Sequence, residues 1–222
     1  MSLKHALLGF LNYGPHTGYE LKKVFDISVA HFWNAELSQI YPTLKALEGE
    51  GLVDMNVDVQ ADRPNRKVYS ITDDGRRELM EWLATPAEAD QIREPLLIKL
   101  FFGSSLSRRE LLAVLRQRAD ELRQAAAQYE RGCEAVKNLA GVIGLEREAL
   151  FWELTLDSGV NHNRAAVDWI ESAIRRIDAA DDATFDSHPS DFATMDTKVR
   201  VEVLDKLKNA MPAAPAAVHH FE

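Results

Sequence analysis

A chain of 222 residues, 46% hydrophobic and 27% charged, is long enough for one large or two small buried cores and has the composition of an ordinary globular protein. Its single cysteine, Cys133, excludes an internal disulfide and a thiolate-rich zinc site, and no stretch reaches the roughly 20 apolar residues that span a bilayer. The net charge of −9 argues against a uniformly basic nucleic-acid binder, because phosphate contacts supply most non-specific affinity; such a function needs basic residues gathered on one element. The opening run Met1–Leu8 is followed by Asn12, Gly14 and Pro15 with no small-residue cleavage site, so it is read as a first helix and not a signal peptide, and a cytoplasmic protein is expected.

Leu3, Ala6, Leu7, Phe10 and Leu11 fall at helical spacing, which predicts an amphipathic helix ended by Asn12-Tyr13-Gly14-Pro15. Thr17-Gly18-Tyr19-Glu20 fits a capping box, a hydroxyl that accepts from exposed amides with a carboxylate that reaches back. It opens a second helix with Leu21, Val24, Phe25 and Val29 inward. A third helix is predicted over roughly residues 36–50, with Leu37, Ile40, Tyr41, Leu44 and Leu47 as its apolar positions. Pro42 must sit in its first turns or bend it, and Gly51 suits its end. The period then falls from 3.6 to 2. Val53, Met55, Val57 and Val59 alternate with Asp54, Asn56 and Asp58, the pattern of a half-buried strand. Residues 60–66 have turn composition, residues 67–71 read as a second strand, and Thr72-Asp73-Asp74-Gly75 opens a fourth helix carrying Leu79, Trp82 and Leu83. Helix, helix, helix, strand, turn, strand, helix in tight succession reads as a winged helix-turn-helix.

Thr85-Pro86-Ala87 marks a linker, and from about Ile92 the chain is predicted helical. Ser107-Arg108-Arg109-Glu110 is a second capping box. Behind it Leu112, Leu115, Ala119, Leu122, Ala126, Tyr129, Cys133 and Val136 recur at alternating steps of three and four, a heptad seam. The seam suits helix packing within the chain or a contact between two copies, with Leu112, Leu115, Leu122, Tyr129 and Val136 as a dimer seam. Gly141 and Gly144 are expected to break it, and another long helix follows over about residues 145–177. Its centre, Asp157 to Arg164, is polar and lies between Trp152 and Trp169. Trp152, His162 and Trp169 are therefore candidate lining for an effector site, beside the plainer reading of core tryptophans and a solvated face. The fold class is mainly α with a small β-hairpin wing: an N-terminal winged helix-turn-helix in residues 1–84, a C-terminal helical dimerisation arm and effector region in 85–180, and a polar tail in 181–222. A short helix around residues 198–208 and a mobile Ala- and Pro-rich end are expected in that tail.

On Ala6-Leu7-Leu8-Gly9, Gly18-Tyr19-Glu20-Leu21, the stretch from Ser38 through Tyr41-Pro42-Thr43-Leu44-Lys45 to Glu48, Gly51-Leu52-Val53, and Arg66 through Gly75, the N-terminal segment resembles the PadR family of bacterial transcriptional regulators. By length and helix pattern, the remainder resembles the virulence-activator-type C-terminal region of the longer members. The resemblance implies a dimeric regulator, often a repressor released by a small ligand such as a phenolic compound; the family also holds activators. Double-stranded DNA, a second copy of the chain and a small-molecule effector are the expected partners, with no membrane.

In a helix-turn-helix the second helix of the motif enters the major groove by its N-terminal end. Here that helix carries Ser38, Gln39, Thr43 and Lys45 between its inward positions. Gln39 suits an adenine edge, Ser38 and Thr43 a base or a phosphate, and Lys45 a phosphate. Tyr41 stands between two readings, a ring packed inward and a hydroxyl on a phosphate. The wing gathers Arg63, Asn65, Arg66 and Lys67, the densest basic patch in an otherwise acidic N-terminal unit, suited to phosphates or a narrow minor groove. Lys22 and Lys23 on the second helix are placed to touch the DNA backbone. For each of these residues the alternative is plain surface decoration. No P-loop, paired-glycine fingerprint, Gly-x-Ser-x-Gly or His-Glu-x-x-His occurs, so no catalytic residue, cofactor or metal is expected. His219-His220 supports at most adventitious metal binding. A winged-helix module that binds protein is the competing reading, favoured by the acidic balance and opposed by the basic wing.

Overall fold

The computed structural model describes residues 2–59, 65–87, 94–186 and 196–210. The chain divides into two compact units, Met1–Gln91 and Ile92–Glu222. No helix among the described residues is long and apolar enough to cross a membrane.

The first unit runs α1 (Ser2–Tyr13), β1 (His16–Thr17), α2 (Gly18–Ser28), α3 (Leu37–Gly49), β2 (Val53–Asp58), β3 (Arg66–Ile71) and α4 (Asp73–Leu83). The three strands form an antiparallel sheet in the order β1-β3-β2. Leu7, Leu8, Leu11, Leu21, Phe25, Ile40, Leu44 and Leu47 are buried together with Val53, Tyr69, Ile71 and Leu79, and each such side chain contributes roughly 1.5–3 kcal/mol by leaving water. Local chemistry sets the element ends. The Thr17 capping box is formed: Glu20 N–H donates to Thr17 Oγ1 at 3.2 Å, and Thr17 N–H donates to Glu20 Oε2 at 2.8 Å. Gly51, at φ +71, closes α3 in a Schellman turn. Leu52 N–H donates to Leu47 O at 2.9 Å and Gly51 N–H to Glu48 O at 3.1 Å, which satisfies carbonyls that the helix end leaves open. Thr72 caps α4, accepting from Gly75 N–H at 3.0 Å while its hydroxyl donates to Gly51 O at 2.9 Å. That pair of bonds ties the base of the wing to the end of α3. His5 lies flat on Trp82 with ring centroids 4.5 Å apart, joining α1 to α4.

Two expectations are corrected in this unit. The alternation of β2 buries Val53 and half-buries Met55, but Val57 is 51% and Val59 77% exposed, because the hairpin runs out past the edge of the core. Leu83 is likewise exposed, at the end of α4.

The second unit contains α5 (Pro95–Phe101), a 3-10 turn (Gly103–Ser105), α6 (Arg108–Ile143), α7 (Glu146–Asp178), α8 (Asp182–Asp186) and α9 (Thr197–Ala210). The Ser107 capping box forms, with Ser107 N–H to Glu110 Oε2 at 2.9 Å and Glu110 N–H to Ser107 Oγ at 3.3 Å. Gly144 ends α6 in the left-handed region, φ +67. Gly141 breaks nothing: it lies inside the helix, at the modest cost of about 1 kcal/mol that a mid-helix glycine carries. α6 and α7 fold into an antiparallel hairpin. Leu115, Ala119 and Leu122 pack with Leu96, Val167 and Ile170. The heptad seam is therefore occupied within the chain: Leu112, Leu115 and Leu122 are buried, and Tyr129, Cys133 and Val136 half-buried, without a second copy. Burial raises the Cys133 thiol pKa. Further along the hairpin the helices interlock at glycines. A Cβ on Gly159 would stand 2.8 Å from the Tyr129 ring, and one on Gly132 would stand 3.3 Å from Leu156 Cδ1. Arg108 fastens the far end, donating to Ala180 O at 2.6 Å, pairing with Asp182 at 3.0 Å and lying over the Phe185 ring. The expected short helix in the tail is α9; residues 211–222, with His219 and His220, lie outside the described residues.

Candidate nucleic-acid interface

The inward face of α3 is fixed by Ile40, Leu44 and Leu47, each wholly buried. A helix period of 3.6 then forces Ser38, Gln39, Tyr41 and Lys45 outward, and all four are exposed, with Thr43 half-buried. Pro42 has no N–H for the carbonyl of Ser38, so that carbonyl lacks its helix donor one turn from the N-terminus. The side chains are less free than their exposure suggests. Gln39 Oε1 accepts from Glu36 N–H at 3.0 Å, so Gln39 caps its own helix. Bidentate adenine reading needs both ends of the amide and would cost that cap. Thr43 Oγ1 donates to Gln39 O at 2.8 Å, leaving it lone pairs to offer. The Tyr41 ring lies against Gly18, where a Cβ would stand 2.5 Å from Cε1, yet the residue is 46% exposed. The ring edge packs on Gly18 of α2 while part of the residue stays in solvent. Lys45 is exposed and makes no ion pair among the described residues.

Beside α3 stand the wing and α2. Pairing of Asp58 with Arg66 across the β2–β3 ladder sets Arg66 Nη2 3.1 Å from Asp58 Oδ2, and Arg66 Nη1 is 3.9 Å from Glu20 Oε1. Lys67 and Asn65 are exposed, Lys67 with no ion pair among the described residues. Arg63 lies outside the described residues. Lys22 Nζ is held by Asp26 Oδ1 at 2.6 Å and Glu36 Oε1 at 3.7 Å, which raises its pKa. Lys23 lies over the Tyr19 ring at 4.7 Å. Sequence reasoning gathered these cations but missed the carboxylates beside them. Glu20 stood out only as a cap; the Asp58 contact needed the strand register and the Glu36 contact needed the packing of α2 on α3. β1 was also missed, since two residues carry no alternation and become a strand only by pairing His16 with Tyr69.

On the helical unit, Trp152 is half-buried, His162 exposed and Trp169 44% exposed. A crevice of about 230 Å³ between α6 and α7 is lined by Arg123, Ala126, Glu130, Arg164 and Val167. One of about 280 Å³ between α5 and α6 is lined by Leu96, Lys99, Val114, Gln117 and Arg118. Trp152, His162 and Trp169 line neither of these two crevices.

A helix that presents polar side chains beside a β-hairpin wing, in one unit of a chain whose second unit is a long helical hairpin, defines a transcriptional regulator of the winged helix-turn-helix class. Residues 7–81 match the transcriptional regulator PadR-like family, and residues 92–178 match the virulence activator alpha C-terminal family. The chain is 32% identical over 190 residues to a probable transcriptional regulator of Mycobacterium tuberculosis, covering 80% of this chain and 98% of that one. It belongs to the PadR-like family of transcriptional regulators. Among solved structures it is similar to Bacillus subtilis PadR in complex with operator DNA, at 29% identity and TM-score 0.71 over 80% of this chain and 99% of that one. The same Bacillus protein in complex with p-coumaric acid gives 28% and 0.66, over 80% and 96%. The Vibrio cholerae virulence activator AphA gives 28% and 0.63, over 80% and 98%.

Proposed function

We propose that the chain is a sequence-specific DNA-binding repressor that acts in the cytoplasm as a homodimer on a pseudo-palindromic operator and releases it when a small, phenolic ligand binds. The observation that carries this reading is the exposed face of α3 beside a wing with Arg66 and Lys67, in a fold similar at TM-score 0.71 to a PadR bound to operator DNA. The N-terminal end of α3 enters the major groove. Ser38 and Gln39 meet base edges, while Tyr41, Thr43 and Lys45 engage base or backbone. Arg63, Asn65, Arg66 and Lys67 follow the phosphates or the minor groove, and Lys22 and Lys23 touch the backbone. Residues 1–84 carry DNA binding, residues 85–180 dimerisation and the effector response, and residues 181–222 a tail.

One winged helix buries little DNA, which favours two. With Leu112, Leu115, Leu122, Tyr129 and Val136 wholly or partly covered inside the chain, the two-fold contact draws on α1 and on other faces of the helical unit. Leu97, Ile98, Phe101 and Phe102 there are exposed. The effector reading rests on the Bacillus PadR complex with p-coumaric acid, with Trp152, His162 and Trp169 as the residues assigned to it. A second reading, activation by the same DNA-bound dimer, is favoured by the likeness to AphA. Fluorescence anisotropy with duplexes from upstream of the chain's own gene, and with a random-sequence pool, tests the reading. Specific, salt-sensitive binding that is lost when Arg63, Arg66 and Lys67 become alanine, and weakened by p-coumaric acid, is expected. Failure to select any sequence from the pool overturns it. Sedimentation at the mass of a single chain at micromolar concentration overturns the dimer, and the sign of a promoter–reporter response separates repressor from activator.

A further inference from the structure

The surface formed by α2, α3 and the wing carries its own counter-charges. Arg66 lies between Asp58 at 3.1 Å and Glu20 at 3.9 Å. Glu20 is itself anchored, because its other oxygen accepts the Thr17 N–H at 2.8 Å, and that bond stabilises its charged form. Lys22 lies between Asp26 at 2.6 Å and Glu36 at 3.7 Å, and Glu36 immediately precedes α3. Ion pairs this exposed add little to folding stability. They matter instead for what approaches. A phosphate backbone arriving at this face finds Arg66 and Lys22 already neutralised and four carboxylates of its own sign among them. The overall charge of −9 removes any long-range attraction that would offset this.

We propose that Glu20, Asp26, Glu36 and Asp58 are specificity determinants: they hold Arg66 and Lys22 off generic phosphates, so that the chain settles only where base contacts from α3 are good enough to draw those cations across. This rests on the DNA-binding reading above. Specificity is a difference between two affinities and can be raised by weakening the wrong complex. A chain with few unpaired cations on its recognition face raises it in that way.

The test uses the full chain and charge-removing substitutions of nearly unchanged shape, made in pairs so that each pair frees one cation: Asp58→Asn with Glu20→Gln for Arg66, the latter keeping an oxygen for the Thr17 N–H, and Asp26→Asn with Glu36→Gln for Lys22. Affinity is measured across a salt series on two probes, a duplex selected by the wild-type chain from a random pool and a scrambled duplex of the same composition. Each freed cation adds about 0.9 to the salt slope, and so about eightfold in affinity for the scrambled duplex near 0.1 M salt. The selected duplex gains less, so the ratio between the probes falls. When Arg66→Ala is added to the Asp58→Asn and Glu20→Gln pair, the gain on the scrambled duplex disappears. Unchanged affinity for the scrambled duplex, an equal gain on both probes, or a gain that survives Arg66→Ala overturns the inference. A wild-type chain that binds duplex without discriminating between the probes also overturns it. Wild-type chain that binds no duplex at any salt overturns the DNA-binding reading itself, and the inference with it.

Discussion

Replacing Gly75 with alanine tests how the first unit is assembled, because two opposite signs are available. In an unobstructed helix the change stabilises by about 1 kcal/mol, since alanine is the better helix former. Here Gly75 is buried in the first turn of α4, and a Cβ would stand 2.9 Å from Ile71 Cγ1 and overlap the carbonyl oxygen of Leu52. Ordinary contact begins at 3.4 Å, and that oxygen falls short of it by more than an ångström. The obstacle is backbone, and it is pinned: Leu52 O accepts from Thr72 N–H at 3.1 Å, and Leu52 N–H donates to Leu47 O at 2.9 Å. No side chain can swing away, so α4 must lift off the base of the wing and strain the Thr72 cap. Overpacking of this kind costs about 1–3 kcal/mol, and a rigid neighbour places it near the top of that range. For a unit of this size each kcal/mol moves the midpoint by about 4–8 °C, so Tm falls by roughly 10–20 °C. Thermal melts of the whole chain followed by circular dichroism measure it. An unchanged or raised Tm for Gly75→Ala would refute the packing of α4 against the α3–β2 turn.

Other expectations follow from the same geometry. Gly18→Ala also meets an obstacle, but it is the Tyr41 ring, which can rotate; melts should shift far less than for Gly75→Ala while affinity for the selected duplex drops, and equal loss of Tm would mean that the ring is fixed. Leu115→Ala removes a wholly buried side chain from the α5–α6–α7 core and should cost about 2–5 kcal/mol in denaturant unfolding; a cost under about 1 kcal/mol would contradict that packing. Lys67→Ala should lower affinity for all duplexes alike and reduce the salt slope by about 0.9. The Glu20 carboxyl lies below its ordinary pKa, chiefly through the Thr17 backbone N–H and then the Thr17 hydroxyl. A depressed folded-state pKa gives stability that is complete above the ordinary value near 4.5 and lost as pH falls through the lowered one. Glu20→Gln should therefore differ most from wild type above that pH, and the gap should close in acid; a gap independent of pH counts against the linkage.

What was legible in the sequence was whatever local chemistry decides. Thr17 and Ser107 announced their capping boxes by spacing, Gly51 announced the end of α3 because few other residues tolerate φ +71, and the change of period at Val53 announced the wing. What was not legible depends on partners distant in the chain. Val57 and Val59 alternate like buried residues, yet nothing local says that the hairpin outruns the core. The heptad seam of α6 showed that one face is covered; only the return of α7 shows by what. Gln39 reads as a base contact on any helix surface until its amide is seen to accept the N–H of Glu36. The pairing of Arg66 with Asp58 becomes visible only with the strand register, which turns a basic patch into a set of compensated charges.

The interlock of Tyr129 on Gly159 and Leu156 on Gly132 gives the helical hairpin a mechanical character. Advancing α6 along α7 by one residue is a travel of about 1.5 Å, and both notches would have to disengage together, like teeth lifted from a rack. Packed elements of this kind move between discrete seatings and resist gradual slip. The hairpin therefore behaves as a strut. Load applied near the Gly144 bend, where α6 hands over to α7, reaches the Arg108 end as tilt of the whole rod, with little lost to creep between its two helices.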